Sequence, residues 1–273
     1  MGLFVNKQKT CPICNRPTPQ IFPTKIEGMS ICKECGSKLD LPEGMAGQMT
    51  LEDFRQYLKF YDRNKALRNI FTETYRIDFN AFNSTIVLDT VNRLFRLKSS
   101  ASSLVMKASE LKSFRILEDN ALLFEGEGDT LRCHSSRIPV FVRNMAPQIT
   151  QFLMRLEMYQ QLEHMDQERK DKERSREGNT RKSSDDATRP DFEVPVPLKH
   201  FYVELTLKHP YWGGFRGILD APGFNRFNPS VDAYMRDYQE KVDQLHTLAV
   251  GLMKLIDPNA REIRDAVTTL EET

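Results

Sequence analysis

Two cysteine pairs, Cys11-Pro12-Ile13-Cys14 and Cys32-Lys33-Glu34-Cys35, are the residues of this chain whose type and spacing point to one chemistry. Two residues between thiols let a tight knuckle turn both sulfurs toward a common centre. The intervening stretch, residues 15–31, is long enough to bring the second pair opposite and complete a tetrahedron. The spacing therefore predicts one Zn2+ ion held by Cys11, Cys14, Cys32 and Cys35 at about 2.3 Å. Four protein thiolates leave no coordination position for water, so such an ion folds its segment and does not catalyse. Asn15 and Gly36, each directly after a pair, suit the positive backbone dihedrals of a knuckle turn. Two disulfides, or a redox dithiol, are the competing uses of these residues. Lasting disulfides belong to exported proteins, and a redox motif needs a single pair on a strand-to-helix unit. The fifth cysteine, Cys133, stands beside His134 with no spaced partner and reads as a packed thiol.

Other chemistry is sparse. No Gly-rich phosphate loop ending in Lys-Ser or Lys-Thr, no His-Glu-x-x-His and no Gly-x-Ser-x-Gly occurs, and the five histidines are scattered. Gly213-Gly214-Phe215-Arg216-Gly217 lacks the spacing of a dinucleotide fingerprint and reads as a hairpin turn. Beside it, Tyr211, Trp212 and Phe215 are large rings next to flexible glycines. They are the candidate partner-binding surface, with a core-plug reading open alongside. Residues 1–39 carry Lys7, Lys9, Arg16, Lys25, Lys33 and Lys38 against Glu27 and Glu34, a formal excess of four positive charges. A zinc tetrathiolate removes about two of these. The alternative of a basic, nucleic-acid-binding finger using Lys7, Lys9, Arg16 and Lys33 therefore rests on few phosphate contacts.

The elements that must position these residues follow from periodicity. Thr50 caps a helix in which Leu51, Phe54, Leu58 and Tyr61 recur at helical spacing, with Met49 placed to staple onto Phe54. From about residue 76 the period becomes that of strands. Thr85–Asp89 and Leu94–Leu97 form a hairpin turning at Asn92, and strands follow at 104–107, 112–117 and 122–125. Asn144 is placed to cap a helix striped by Ile149, Phe152, Leu153, Leu156 and Tyr159. Residues from about 165 to 195 are charged, with almost nothing to bury, and read as a solvated linker. The alternation at Phe201, Val203, Leu205 and Leu207 is the clearest strand, and Phe215–Leu219 returns beside it. Asn228-Pro229 then opens a long helix that Asp257-Pro258 stops.

The whole composition fits this outline. The chain is 273 residues, 40% hydrophobic and 28% charged, with a formal charge of +1. That balance gives no overall drive toward nucleic acid or anionic membrane. The opening residues show no secretory leader, and no apolar run reaches membrane-spanning length, so the expected location is the cytosol.

Finger, linking helix, hairpins, the Pro210-Tyr211-Trp212 loop and a final amphipathic helix occur in an order that resembles a bacterial family of unknown function. Its members open with a short four-cysteine zinc finger. Meandering strands closed by one long helix are also similar to bacterial pleckstrin-homology-like domains. The expected fold class is thus α+β: a zinc ribbon or treble clef over 1–48, a linking helix over 49–75, and an antiparallel pleckstrin-homology-like sheet or barrel over 76–273, interrupted by the linker. The expected function is a non-catalytic, zinc-binding interaction or scaffold protein whose partner the sequence does not name.

Overall fold

The computed structural model describes residues 10–81, 84–174, 189–193 and 196–265. The finger folds from β1 (Lys25–Ile26), β2 (Met29–Ser30) and α1 (Lys33–Ser37), followed by α2 (Met45–Gln48). The linking segment is two helices, α3 (Leu51–Arg63) and α4 (Lys65–Ile70). At the start of α3 the Thr50 hydroxyl accepts from the Asp53 N–H at 3.1 Å, and the Asp53 carboxylate accepts from the Thr50 N–H at 3.0 Å. This reciprocal capping satisfies two backbone donors that would otherwise be orphaned. Met49 and Phe54 are both buried in one cluster, as the expected staple requires. Asn64 separates α3 from α4. Its amide is turned inward, accepting from the Val105 N–H at 3.0 Å and donating to the Val105 carbonyl at 2.7 Å.

Beyond the β1–β2 pair of the finger, the strands make two open sheets. The first orders β3 (Tyr75–Asp78), β4 (Thr85–Asp89), β5 (Leu94–Arg96) and β6 (Met106–Lys107) as an antiparallel meander. The second takes β7 (Leu111–Glu118), β8 (Ala121–Glu127) and β9 (Thr130–Cys133) from the middle of the chain. After the helices α5 (Ile138–Asn144) and α6 (Ala146–Arg174) come β10 (His200–Leu207), β11 (Gly214–Asp220), α7 (Val231–Ile256) and β12 (Arg261–Arg264). The order is β11-β10-β7-β8-β9-β12, antiparallel except that β12 joins β9 in parallel. The expected barrel is therefore corrected to open sheets: among the described residues β11 and β12 end the larger sheet and are not paired with each other.

Compact packing divides the chain into two units. The larger comprises 1–134, 201–219 and 246–273. In it, β10 buries Phe201, Val203, Leu205 and Leu207 as the alternation requires. Two glycines there allow close approach: a Cβ on Gly217 would stand 2.5 Å from the Phe79 ring, and one on Gly251, inside α7, 2.7 Å from Leu88 Cδ1. The smaller unit comprises 135–200 and 220–245. Its core is Met145, Ile149, Phe152, Leu156 and Phe192, with Phe224 and Val231 packed on it. Among the described residues no helix is long and apolar enough to cross a membrane.

Several local expectations change. Leu104 and Val105 are buried but outside a strand, because the Asp40 and Asn64 side chains take their N–H groups in place of a neighbouring strand. The left-handed residue of the β4–β5 turn is Arg93, not Asn92, whose side chain instead ties to Asp89 and the Ile70 carbonyl. The cap of α7 is Ser230, whose hydroxyl accepts from the Ala233 N–H. A short helix opening on Ile138-Pro139 precedes α6 and ends at Asn144, so Asn144 closes a helix where the sequence has it start one. α6 continues as helix through Arg174, into the first part of the expected linker, although its apolar stripe is spent by Leu156. Residues 175–188 and 194–195 of that linker lie outside the described residues.

Candidate metal centre

The first cysteine pair sits on a knuckle built by backbone bonds. The Cys11 N–H donates to the Arg16 carbonyl at 2.8 Å and the Asn15 N–H to the Cys11 carbonyl at 2.9 Å. Asn15 adopts φ 58°, the left-handed turn expected of it. The second pair opens α1. Cys32 is the N-cap, and its Sγ accepts from the Cys35 N–H at 3.4 Å. Gly36 is an ordinary helical residue rather than a left-handed one; its need for a small side chain comes from Thr24 Oγ1, 3.2 Å from where a Cβ would stand. The helix end offers its own partial positive charge to the sulfurs.

The four sulfurs converge. Cys14 Sγ lies 3.4 Å from Cys32 Sγ and 3.6 Å from Cys35 Sγ, and all four lie within 4.8 Å of one another. The edge of a tetrahedron with zinc–sulfur bonds of 2.3 Å is about 3.8 Å, so the cage fits such an ion. Electrostatics without an ion favours the same conclusion. Burial, and then the neighbouring thiols of Cys14 and Cys32, push the Cys35 thiol well above its ordinary range. Burial also works to raise Cys32, but the Cys35 N–H and the adjacent thiols outweigh it and hold that thiol below its usual value. A cluster in which one thiolate is favoured at the expense of its neighbours needs a cation before all four can ionise.

The metal cage belongs to a larger core. Cys11, Cys32 and Cys35 share a buried cluster with Ile26, Ile31, Phe54, Tyr57 and Leu104. Asp40, five residues beyond the last cysteine and only 7% exposed, ties this cluster together. Its carboxylate accepts from the Leu104 N–H at 2.6 Å and pairs with Lys98 at 2.8 Å. Its N–H donates to the Tyr57 hydroxyl at 2.8 Å, which donates in turn to the Lys38 carbonyl at 2.7 Å. Its carbonyl accepts from Trp212 Nε1–H at 3.1 Å. Nothing in Asp40's local sequence announces this role, because each partner is remote in the chain.

These contacts place the three aromatic candidates. Trp212 is 7% exposed, with its indole N–H engaged and the Lys98 ammonium 5.7 Å from its ring centroid. As an exposed anchor it is corrected to the core-plug alternative. Tyr211 is half-buried, edge-on to Tyr57 at 5.0 Å and to Phe60 at 5.2 Å. Phe215, also half-buried, packs 5.5 Å from Phe79. Of the basic candidates, Lys33 is exposed, Arg16 forms an ion pair with Glu34, and Lys7 and Lys9 lie outside the described residues. Cys133 is not isolated among apolar neighbours: burial first, then the Glu262 carboxylate, push its thiol up to about 11.

Compared with family models, curated proteins and solved structures, the chain matches none, so the family resemblance and the pleckstrin-homology-like fold gain no support from a relative.

Proposed function

We propose that the chain is a non-catalytic interaction or scaffold protein of the cytosol, whose finger is folded by one structural zinc ion and presents a contact loop. The knuckle, hairpin and helix order of the finger favours a treble clef over a ribbon. The observation that carries the reading is the segment between the two cysteine pairs, where Ile21 and Phe22 are 76% and 97% exposed. Phe22 also holds φ 49°, a conformation bulky residues rarely adopt. An exposed aromatic side chain held in a strained conformation points to a use for the ring, since neither burial nor backbone preference accounts for it. With Trp212 turned inward, the contact role falls on this loop.

A nucleic-acid-binding regulator is the second reading. The ion pairs Arg16–Glu34 and Lys38–Asp62 spend two of the finger's cations internally, which favours a protein partner. Affinity capture from the native host with wild type, Ile21→Ser and Phe22→Ser chains tests the choice, with zinc content measured on each. The expected result is a partner lost in both variants at unchanged zinc content. Salt-dependent retention on DNA or RNA, abolished by charge reversal at Lys33 and Arg16 and indifferent to Phe22→Ser, would replace the first reading with the second.

A further inference from the structure

The larger sheet assembles a second set of ligating atoms, remote in sequence from the four-cysteine cage. On β9, Leu131 and Cys133 point to one face by the two-residue alternation of a strand. Across the antiparallel ladder Phe124 stands opposite Cys133. On the other side the parallel strand β12 sets Glu262 beside Leu131 and Arg264 beside Cys133, so Glu262 shares that face. α7 lays His246 over it, with the imidazole centroid 5.4 Å from the Phe124 ring. A thiol, an imidazole and a carboxylate thereby meet: one ligand atom each from Cys133, His246 and Glu262 lie within 4.8 Å of one another.

Two details go beyond proximity. His246 Nε2 is buried yet has no hydrogen-bond partner among the described residues; it only approaches Glu262 Oε2, at 3.4 Å. Meanwhile Glu262 Oε1 is held by Arg264, which donates from Nε at 2.8 Å and approaches from Nη2 at 2.7 Å. The carboxylate is thus oriented by an outer partner, leaving Oε2 toward the imidazole, as supporting residues orient metal ligands. A bare His–Glu ion pair would need neither the thiol nor an unbonded ring nitrogen. A tetrahedral ion with bonds of 2.0–2.3 Å requires ligand separations of about 3.3–3.6 Å. The His246–Glu262 spacing already meets this.

We propose that Cys133, His246 and Glu262 form a second divalent-metal site, of the zinc class, with three protein ligands and one position open to water or an exogenous ligand. The donor set selects the ion: a thiolate disfavours Mg2+ and Ca2+, and mixed sulfur, nitrogen and oxygen ligands suit Zn2+ or Co2+. Charge also balances, because one thiolate and one carboxylate neutralise a divalent ion beside a neutral imidazole. Arg264 is the opposing cation, and it is already paired with Glu262. The side chains of His246 and Glu262 are 31% and 32% exposed, so an ion can reach them from solvent. Bound there, it would join β9, α7 and β12 through one centre.

Equilibrium dialysis of the untagged full chain against zinc, in reductant and with metal counted per chain, tests the site. The expected result is two zinc ions for wild type and one tight ion for Cys133→Ser, His246→Gln and Glu262→Gln, each variant weakening the second ion at least tenfold. Cys32→Ser should remove the other ion. With cobalt as the probe, a thiolate-to-cobalt absorption lost in Cys133→Ser, while that of the four-thiolate cage persists, locates the ion. A single zinc per wild-type chain, or a second zinc that survives both His246→Gln and Glu262→Gln, overturns the proposal. Those two variants alter partly exposed side chains and decide the matter even if Cys133→Ser does not fold, as judged by circular dichroism.

Discussion

Trp212→Ala is the most informative single substitution. The indole is 7% exposed, and a tryptophan so enclosed removes about 200 Å² from water, worth about 5 kcal/mol at 25 cal/mol/Å². Truncation also leaves the buried Asp40 carbonyl without its donor, which was 3.1 Å away. Measured losses for large aromatic truncations cluster at about 3–5 kcal/mol once neighbours relax, and that is the expected cost. Trp212→Phe keeps one aromatic ring but loses both the N–H and the second ring of the indole, so it should cost less than the alanine change, about 2–3 kcal/mol. Urea unfolding followed by circular dichroism measures both, and an unchanged denaturant slope shows that only stability moved. If Trp212→Ala stays within about 1 kcal/mol of wild type while Trp212→Phe is neutral, the indole is not packed against Asp40 and the core-plug assignment fails.

Three further outcomes follow from the same core. Zinc chelation should red-shift the emission of Trp212, the chain's one tryptophan, because its acceptor Asp40 lies just beyond the helix that carries Cys32 and Cys35; unchanged emission at zero zinc would show that the cage does not support this contact. Tyr57→Phe should destabilise by about 1–3 kcal/mol, since the Lys38 carbonyl and Asp40 N–H both lose their partner in a buried position; equilibrium unfolding checks it. Burial holds His209 down to about 4, against about 6.5 when unfolded. Below pH 6.5 the unfolded chain therefore binds a proton that the folded chain refuses, and stability falls with pH through that window, by about 2 kcal/mol at pH 5. His209→Gln should flatten that part of the pH dependence, and an identical slope in both chains would refute the assignment.

What was legible in the sequence was local. The cysteine spacing, the Thr50 cap and the alternation from Phe201 to Leu207 are each written within a few residues, and each appears in the structure. What was not legible depends on remote partners. β12 escaped because Arg261-Glu262-Ile263-Arg264 is charged at three of its four positions and has no buried side, its pairing coming from β9. The ligand set on β9, α7 and β12 escaped for the same reason, as Cys133 stands more than a hundred residues before His246 and Glu262. Trp212 shows an ambiguity rather than a gap: a tryptophan beside glycines fits either a surface anchor or a plug, and only the acceptor at Asp40, far away in the chain, distinguishes them.

The shared core also bears on what a metal ion held by the four cysteines would stabilise. A segment as short as the finger buries too little apolar surface to fold alone, and an ion in the four-cysteine cage would supply folding energy. Here the cysteines share their cluster with Phe54 and Tyr57 of α3 and with Leu104, so the binding energy of such an ion would not be confined to the finger. Asp40 would transmit it: Leu104, Lys98, Tyr57 and Trp212 all bond to a residue whose position follows from the helix at which Cys32 and Cys35 stand. The finger is on this argument a fixed corner of its unit, not a bead on a tether. If Ile21 and Phe22 form the contact surface proposed above, anchoring of the finger in this core would cut the ordering cost of binding, the preorganisation from which the affinity of a small aromatic anchor comes.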